Sequence, residues 1–303
     1  MDINTLKVFN NKGMLRHVLV LKRLILFIVY LCSNKKPTNK NNVIKMKIAI
    51  TGKGGVGKTF IASTLMRLFE KNGFKVIGVD CDPNPTLALA FGIEEDIVPL
   101  SKRNDIIEER TGAKPGTYGN IFKINPKVDD LVDKVGYKVG DNITLLVMGT
   151  IEEGGEGCVC PASVLLRRLL RHLILKRDEV VILDMEAGIE HFGRKTIDTV
   201  DLMLIVVEPT KKSLITAKRM KKLANDLGIK NVGVVVNKVR EDDKESLKEI
   251  IKEELGLEVF GVVSYDEEVI KCEFSGKLIN LDSKVVKEIE EIFNNILNLN
   301  TSA

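Results

Sequence analysis

The stretch Gly52-Lys53-Gly54-Gly55-Val56-Gly57-Lys58-Thr59 lies between the apolar run KIAIT, residues 47 to 51, and a helical pattern at 57 to 71. It matches GxxxxGK[ST] through Gly52, Gly57, Lys58 and Thr59. No other feature constrains the fold as strongly. The glycines let the backbone curl so that successive N–H groups converge on one point, and the start of the helix adds a favourable field for an anion there. In this motif the lysine, Lys58, would bridge the β- and γ-phosphates of a nucleotide, and the Thr59 hydroxyl would ligate Mg2+.

The rest of the chain extends the pattern that this loop begins. Short β-branched runs at 75 to 80, 143 to 148, 180 to 184, 202 to 208, 232 to 237 and 258 to 263 alternate with helical patterns at 162 to 176, 212 to 227, 243 to 255 and 283 to 298. Several runs are apolar almost throughout, as strands buried on both faces must be. The expectation is a single doubly wound α/β domain over residues 46 to 303, with a mostly parallel sheet of P-loop type. Between Ser101 and Asp141, Gly, Pro and Asn are scattered among charges, which reads as an irregular excursion from the sheet.

The formal charge of +4 is misleading. Residues 1 to 45 carry nine Lys or Arg against one Asp, whereas the remaining 258 residues carry 37 basic and 41 acidic side chains. The basic balance therefore belongs to an Asn- and Lys-rich N-terminal extension and gives no reason to expect a nucleic-acid partner. The apolar stretch of that extension, Leu24 to Cys32, has nine residues, too few to span a bilayer. A basic start before a short apolar core also suits a secretory signal, but SNKKPTNKNN after Cys32 lacks the small-residue cleavage pattern. The extension is expected to be a disordered arm or untranslated, with Met46 as the start. Five cysteines, an odd count, suit reduced thiols and a cytoplasmic location.

A second lysine, Lys53, makes the loop the deviant form KGGVGKT, which resembles the family of MinD, ParA, nitrogenase iron protein and arsenite-pump ATPases. The resemblance implies ATP-dependent homodimerisation, with Lys53 reaching the partner's nucleotide as an arginine finger does. It implies further that Asp82 in VDCDPNPT orients the attacking water, with Asp80 near magnesium. By the same resemblance Asp184 in DMEAG holds magnesium through water and the Gly188 N–H senses the γ-phosphate. Asn237 in VVVNKV resembles the family's adenine-binding asparagine, and Val239 and Arg240 stand where a guanine-specific aspartate would follow, so ATP is expected over GTP.

Cys158 and Cys160 lie two apart in GGEGCVCP. Two thiolates half-fill a tetrahedral soft-metal site, and a twofold axis would supply the other two; two unconnected loop cysteines are the plainer alternative. KGGVGKT, the CVCP loop and DMEAGIEHFGR at 184 to 194 together resemble the carbon monoxide dehydrogenase accessory proteins CooC, nickel-insertion ATPases. That resemblance implies Ni2+ or Zn2+ held by Cys158 and Cys160 across a dimer, and the dehydrogenase catalytic subunit as partner. An iron-sulfur reductase like the nitrogenase iron protein would want another cysteine after the second switch, where this chain has His191. A MinD-like membrane-positioning ATPase would want a basic amphipathic C-terminal helix. The last helical pattern is more acidic than basic, with Val286, Ile289, Ile292, Phe293 and Ile296 forming an apolar stripe suited to the core.

Overall fold

In the computed structural model, the structure describes residues 45–82, 85–94, 97–114, 121–149, 161–186 and 200–301. Cys158, Cys160, Gly188 and His191 lie outside these residues, as does the N-terminal extension up to residue 44.

The β-branched runs form strands because their alternating side chains have a core to enter on either side. In β1 (Lys47–Gly52), Ile48 and Ile50 point into one core and Ala49 into the other. The remaining strands are β2 (Val76–Asp80), β3 (Tyr137–Lys138), β4 (Ile143–Val147), β5 (Val180–Asp184), β6 (Leu202–Val207), β7 (Val232–Val239) and β8 (Glu258–Ser264). They make one sheet in the order β3-β4-β2-β5-β1-β6-β7-β8, parallel except for β3, which pairs antiparallel with β4. The fold is thus the expected mostly parallel, doubly wound α/β architecture. The chain winds in one direction from β1 to β2 and in the other through β6, β7 and β8. A crevice forms where the order reverses, outside the carboxyl ends of the strands.

One face of the sheet carries α1 (Lys58–Lys71), where Ile61, Leu65, Met66, Leu68 and Phe69 are buried. On the other face, α4 (Pro161–Lys176) buries Leu165, Leu166, Leu169, Leu170 and Leu173 beside α5 (Lys211–Asp226) and α6 (Lys244–Leu255). The last helix, α8 (Lys284–Thr301), lies with α1 and β8; its stripe Val285, Val286, Ile289, Ile292, Phe293 and Ile296 is fully inside. Phe293 meets the ring of Phe69 edge-on at 4.8 Å. With its apolar face spent on the core, α8 has no stripe left for a lipid surface. Among the described residues, no helix is long and apolar enough to cross a membrane.

The expectation of an irregular excursion between Ser101 and Asp141 is corrected. That stretch contains α2 (Asn104–Thr111), α3 (Leu131–Val135) and the edge strand β3. Ile106, Ile107, Leu131 and Val132 are buried in the same core as the leucines of α4. With one or two apolar residues per turn of chain, these elements have no detectable period, and it is the α4 surface that organises them. A further short helix, α7 (Glu267–Phe274), has no buried residue. It is started by Asp266, whose carboxylate accepts the Glu268 N–H.

Candidate nucleotide site

The phosphate loop leaves β1 at Gly52, squeezed against β6. A Cβ at Gly52 would lie 2.3 Å from the Val206 carbonyl oxygen, so only glycine fits. The loop closes at Gly57, which has φ 91° and caps α1. Lys58 is buried and its Nζ reaches the Lys53 carbonyl at 3.5 Å, whereas the Lys53 side chain is exposed.

Next to the loop are the ends of β2 and β5, in register so that Asp80 stands opposite Asp184. The Thr59 hydroxyl donates to Asp184 Oδ2 at 2.7 Å. Asp184 Oδ1 is buried with no hydrogen-bond partner among the described residues. Burial pushes the Asp184 carboxyl up to about 6, against the pull of its Thr59 hydrogen bond and the Lys58 charge. A desolvated carboxylate with an unused oxygen beside a threonine hydroxyl is a hard-oxygen donor set of the kind magnesium takes. Thr59 and Asp184 would hold the ion, which supplies neutralisation of phosphate charge when a nucleotide is bound.

Asp80 is held by the backbone. Its Oδ1 accepts the Asp82 N–H at 3.0 Å, and its Oδ2 accepts those of Thr86 and Leu87 at 2.9 and 2.8 Å. Burial raises its pKa to about 7, the nearby Asp184 charge adding to the effect. Asp80 therefore holds the backbone at Asp82, Thr86 and Leu87, and Asp82 lines the cavity over the phosphate loop.

That cavity, of about 600 Å³, runs from Gly54, Lys58 and Asp82 to Asn237, Tyr265 and Ile270. Its volume is within the usual range of ligand sites. The buried Asn237 amide donates to the Val56 carbonyl at 2.8 Å, so one of its N–H groups is committed to the loop. Among the lining residues not singled out from the sequence are two charged ones beside the motifs. Glu186 follows Asp184 by two positions inside the recognised MEAG stretch, and Lys238 directly follows Asn237. Their adjacency to motif residues was the available signal.

Among the described residues, no group of three or more His, Cys, Asp or Glu side chains is placed to hold a metal ion. Cys81 is buried, with its thiol pushed well up by burial, and Cys272 is half-buried.

Comparison with known proteins agrees with this geometry. The profile of the CobQ/CobB/MinD/ParA nucleotide binding domain matches residues 47–279. An uncharacterized ATP-binding protein of Methanocaldococcus jannaschii is 90% identical over 254 residues, covering 84% of this chain and 98% of that protein. The carbon monoxide dehydrogenase accessory protein CooC of Rhodospirillum rubrum is 48% identical over 203 residues, 64% of this chain and 74% of that one. Among solved structures, the MinD cell division protein of Aquifex aeolicus superposes with a TM-score of 0.61 at 21% identity, covering 83% of this chain and 97% of that one. A ParA family ATPase of Chlorobium tepidum reaches 0.63 at 17%, covering 83% and 99%. A strand-turn-helix phosphate loop, a Thr59 hydroxyl bound to the buried Asp184 carboxylate and a family match over most of the chain lead to one conclusion: the chain belongs to the CobQ/CobB/MinD/ParA nucleotide-binding family and is a P-loop ATPase.

Proposed function

We propose that this ATPase is a cytoplasmic maturation factor that dimerises around ATP and handles nickel or zinc for a carbon monoxide dehydrogenase. The observation that carries the reading is the Cys158-Val-Cys160 pair, immediately before the helix that begins at Pro161. That helix leads into β5, and β5 ends at Asp184. Along the sequence, the proposed soft-metal thiols precede this helix-strand unit and the proposed magnesium carboxylate ends it. The 48% identity to CooC, a protein named for its accessory role to carbon monoxide dehydrogenase, supports the choice of client.

In this reading Lys58 and the loop from Gly52 to Thr59 bind the phosphates, Lys53 completes the partner's site, and Asp82 orients water. Asp184 and Thr59 hold magnesium, the Gly188 N–H senses the γ-phosphate, and Asn237 contributes to the adenine end. Cys158 and Cys160 from two subunits give four thiolates around one soft ion. Because the site is complete only when two subunits meet, metal favours the dimer and the dimer favours metal by the same factor.

Metal analysis of protein purified without oxygen tests the reading. The expected result is about one nickel or zinc per dimer, lost in Cys158→Ala and in Cys160→Ala. Metal affinity is expected to shift by about 5- to 150-fold between the nucleotide-free, ADP and non-hydrolysable ATP-analogue states. A stoichiometric iron-sulfur chromophore would replace metal delivery by electron transfer. Equal metal affinity in all three states would separate the metal from the ATPase cycle.

A further inference from the structure

The end of β7 holds the phosphate loop. Lys238 Nζ donates to the Gly55 carbonyl at 2.6 Å and to Glu208 Oε1, at the end of β6, at 2.8 Å. Its neighbour Asn237 donates to the next carbonyl of the loop, that of Val56. Two successive side chains thus hold two successive carbonyls. Gly57 makes room for this contact, since a Cβ there would meet the Asn237 amide nitrogen at 2.3 Å.

The backbone of Lys238 is unusual in the same place. Among the described residues it is the one non-glycine with positive φ, at 60°, and the pairing of β7 with β8 shifts register between Val236 and Val239. The left-handed conformation is disfavoured for any side chain with a Cβ, so it persists only where surrounding contacts hold it. Here it turns a residue at the end of a strand sideways, so that its long side chain lies over the phosphate loop. Glu208 and Glu273 are the acidic groups facing the lysine.

A trans peptide unit points its carbonyl and its N–H in opposite directions. Holding the Gly55 and Val56 carbonyls on the β7 side therefore aims the N–H groups of Val56 and Gly57 to the other side. There the Val56 N–H and Lys58 Nζ both reach the Lys53 carbonyl, at 3.4 and 3.5 Å, contacts at the long limit of hydrogen bonding. A phosphate oxygen is a stronger acceptor for both donors.

We propose that Lys238, fixed by Glu208 and assisted by Asn237, is a positioning residue that braces the phosphate loop in its anion-receiving shape before nucleotide arrives. It acts on the phosphate end of the site and is indifferent to the base. The proposal needs only nucleotide binding at this loop and stands whether or not the protein carries a transition metal.

Calorimetric titration of ATP, GTP and tripolyphosphate into Lys238→Met, Lys238→Asn, Lys238→Arg and Glu208→Gln tests it. Lys238→Met and Lys238→Asn are each expected to weaken all three ligands by a common factor of about tenfold, the scale of one charge-assisted hydrogen bond expressed in part. Asparagine tolerates the left-handed backbone, so agreement of the two variants separates the lost amine from altered strain, and the Asn variant carries the test if the Met variant does not fold. Lys238→Arg should restore most of the affinity, and Glu208→Gln should lose a smaller factor in the same direction. For ATP hydrolysis KM should rise with kcat retained, and the thermal midpoint without ligand should stay within a few degrees. A loss confined to ATP and GTP, with tripolyphosphate unaffected, would make Lys238 a base or ribose contact and overturn the proposal. Unchanged affinity for all three would reduce the contact to a surface ion pair and overturn it as well.

Discussion

Asp80 should make the nucleotide-free protein less stable as pH rises through neutrality. Burial raises its carboxyl from the ordinary 3.8 to about 7, opposed by the N–H groups of Leu87 and Asp82 and reinforced by the Asp184 charge. A folded-state pKa above the unfolded value means that the native state binds the proton more readily. The associated stability is complete below about pH 3.8 and is lost as pH rises through about 7. Between pH 5 and pH 8 the share of one such group is about 3 kcal/mol. Asp184, raised to about 6 by burial, adds a change of the same sign over the lower part of the window. The exposed carboxylates Asp105 and Glu241, held down to about 2 by hydrogen bonds from Arg103 and Lys284, titrate below it. Asp80→Asn keeps the shape and one acceptor but cannot titrate. The variant will have a different stability at every pH, because an amide nitrogen now faces backbone donors; the slope carries the test. Urea unfolding of wild type and variant at pH 5, 6.5 and 8, without magnesium or nucleotide, should give a wild-type loss steeper by about 3 kcal/mol. Equal slopes in the two proteins would refute the claim that Asp80 is a desolvated carboxylate in the apo state.

Two further outcomes follow from the same structure. Lys58→Ala should abolish ATP binding, whereas Lys53→Ala, at an exposed residue proposed to act on the partner's nucleotide, should leave binding and remove hydrolysis; equal loss of binding in both, measured by titration, would contradict the trans role. Phe293→Ala should cost about 3 to 5 kcal/mol in denaturant unfolding, because it opens a cavity between α8 and the Phe69 ring of α1.

The fold was legible wherever local pattern and tertiary demand coincided. The strand runs are apolar on both faces because the sheet is covered on both faces, and the seven parallel strands fall where those runs lie. The phosphate loop was legible for a different reason: its glycines are required by backbone geometry within eight residues, as at Gly52 against Val206. The α8 stripe could be read for its burial, since its period of 3.6 is a local property. By contrast, α2, α3 and β3 have too few apolar residues to show a period, and the α4 leucines they cover decide that they fold.

Within the site, residue types could be named in advance but their partners could not. Asp80 and Asp184 read as two acidic strand ends of similar use. Only the register of β2 beside β5 and the placing of Thr86 and Leu87 make Asp80 an acceptor for three backbone N–H groups and leave Asp184 with a buried oxygen unused among the described residues. Asn237 read as a contact for the base, and the packing of β7 against the loop shows its amide bound to Val56. Lys238 gave no signal beyond its place after Asn237, because both its left-handed backbone and its reach to Gly55 and Glu208 depend on strands that are distant in sequence. Sequence alone determined which chemistry the chain carries, since glycines, lysines and carboxylates act through their own covalent structure. Tertiary structure decided which of those groups is desolvated, which is braced and which is left open, since contacts such as Thr59–Asp184 and Lys238–Gly55 join residues 125 and 183 apart along the chain.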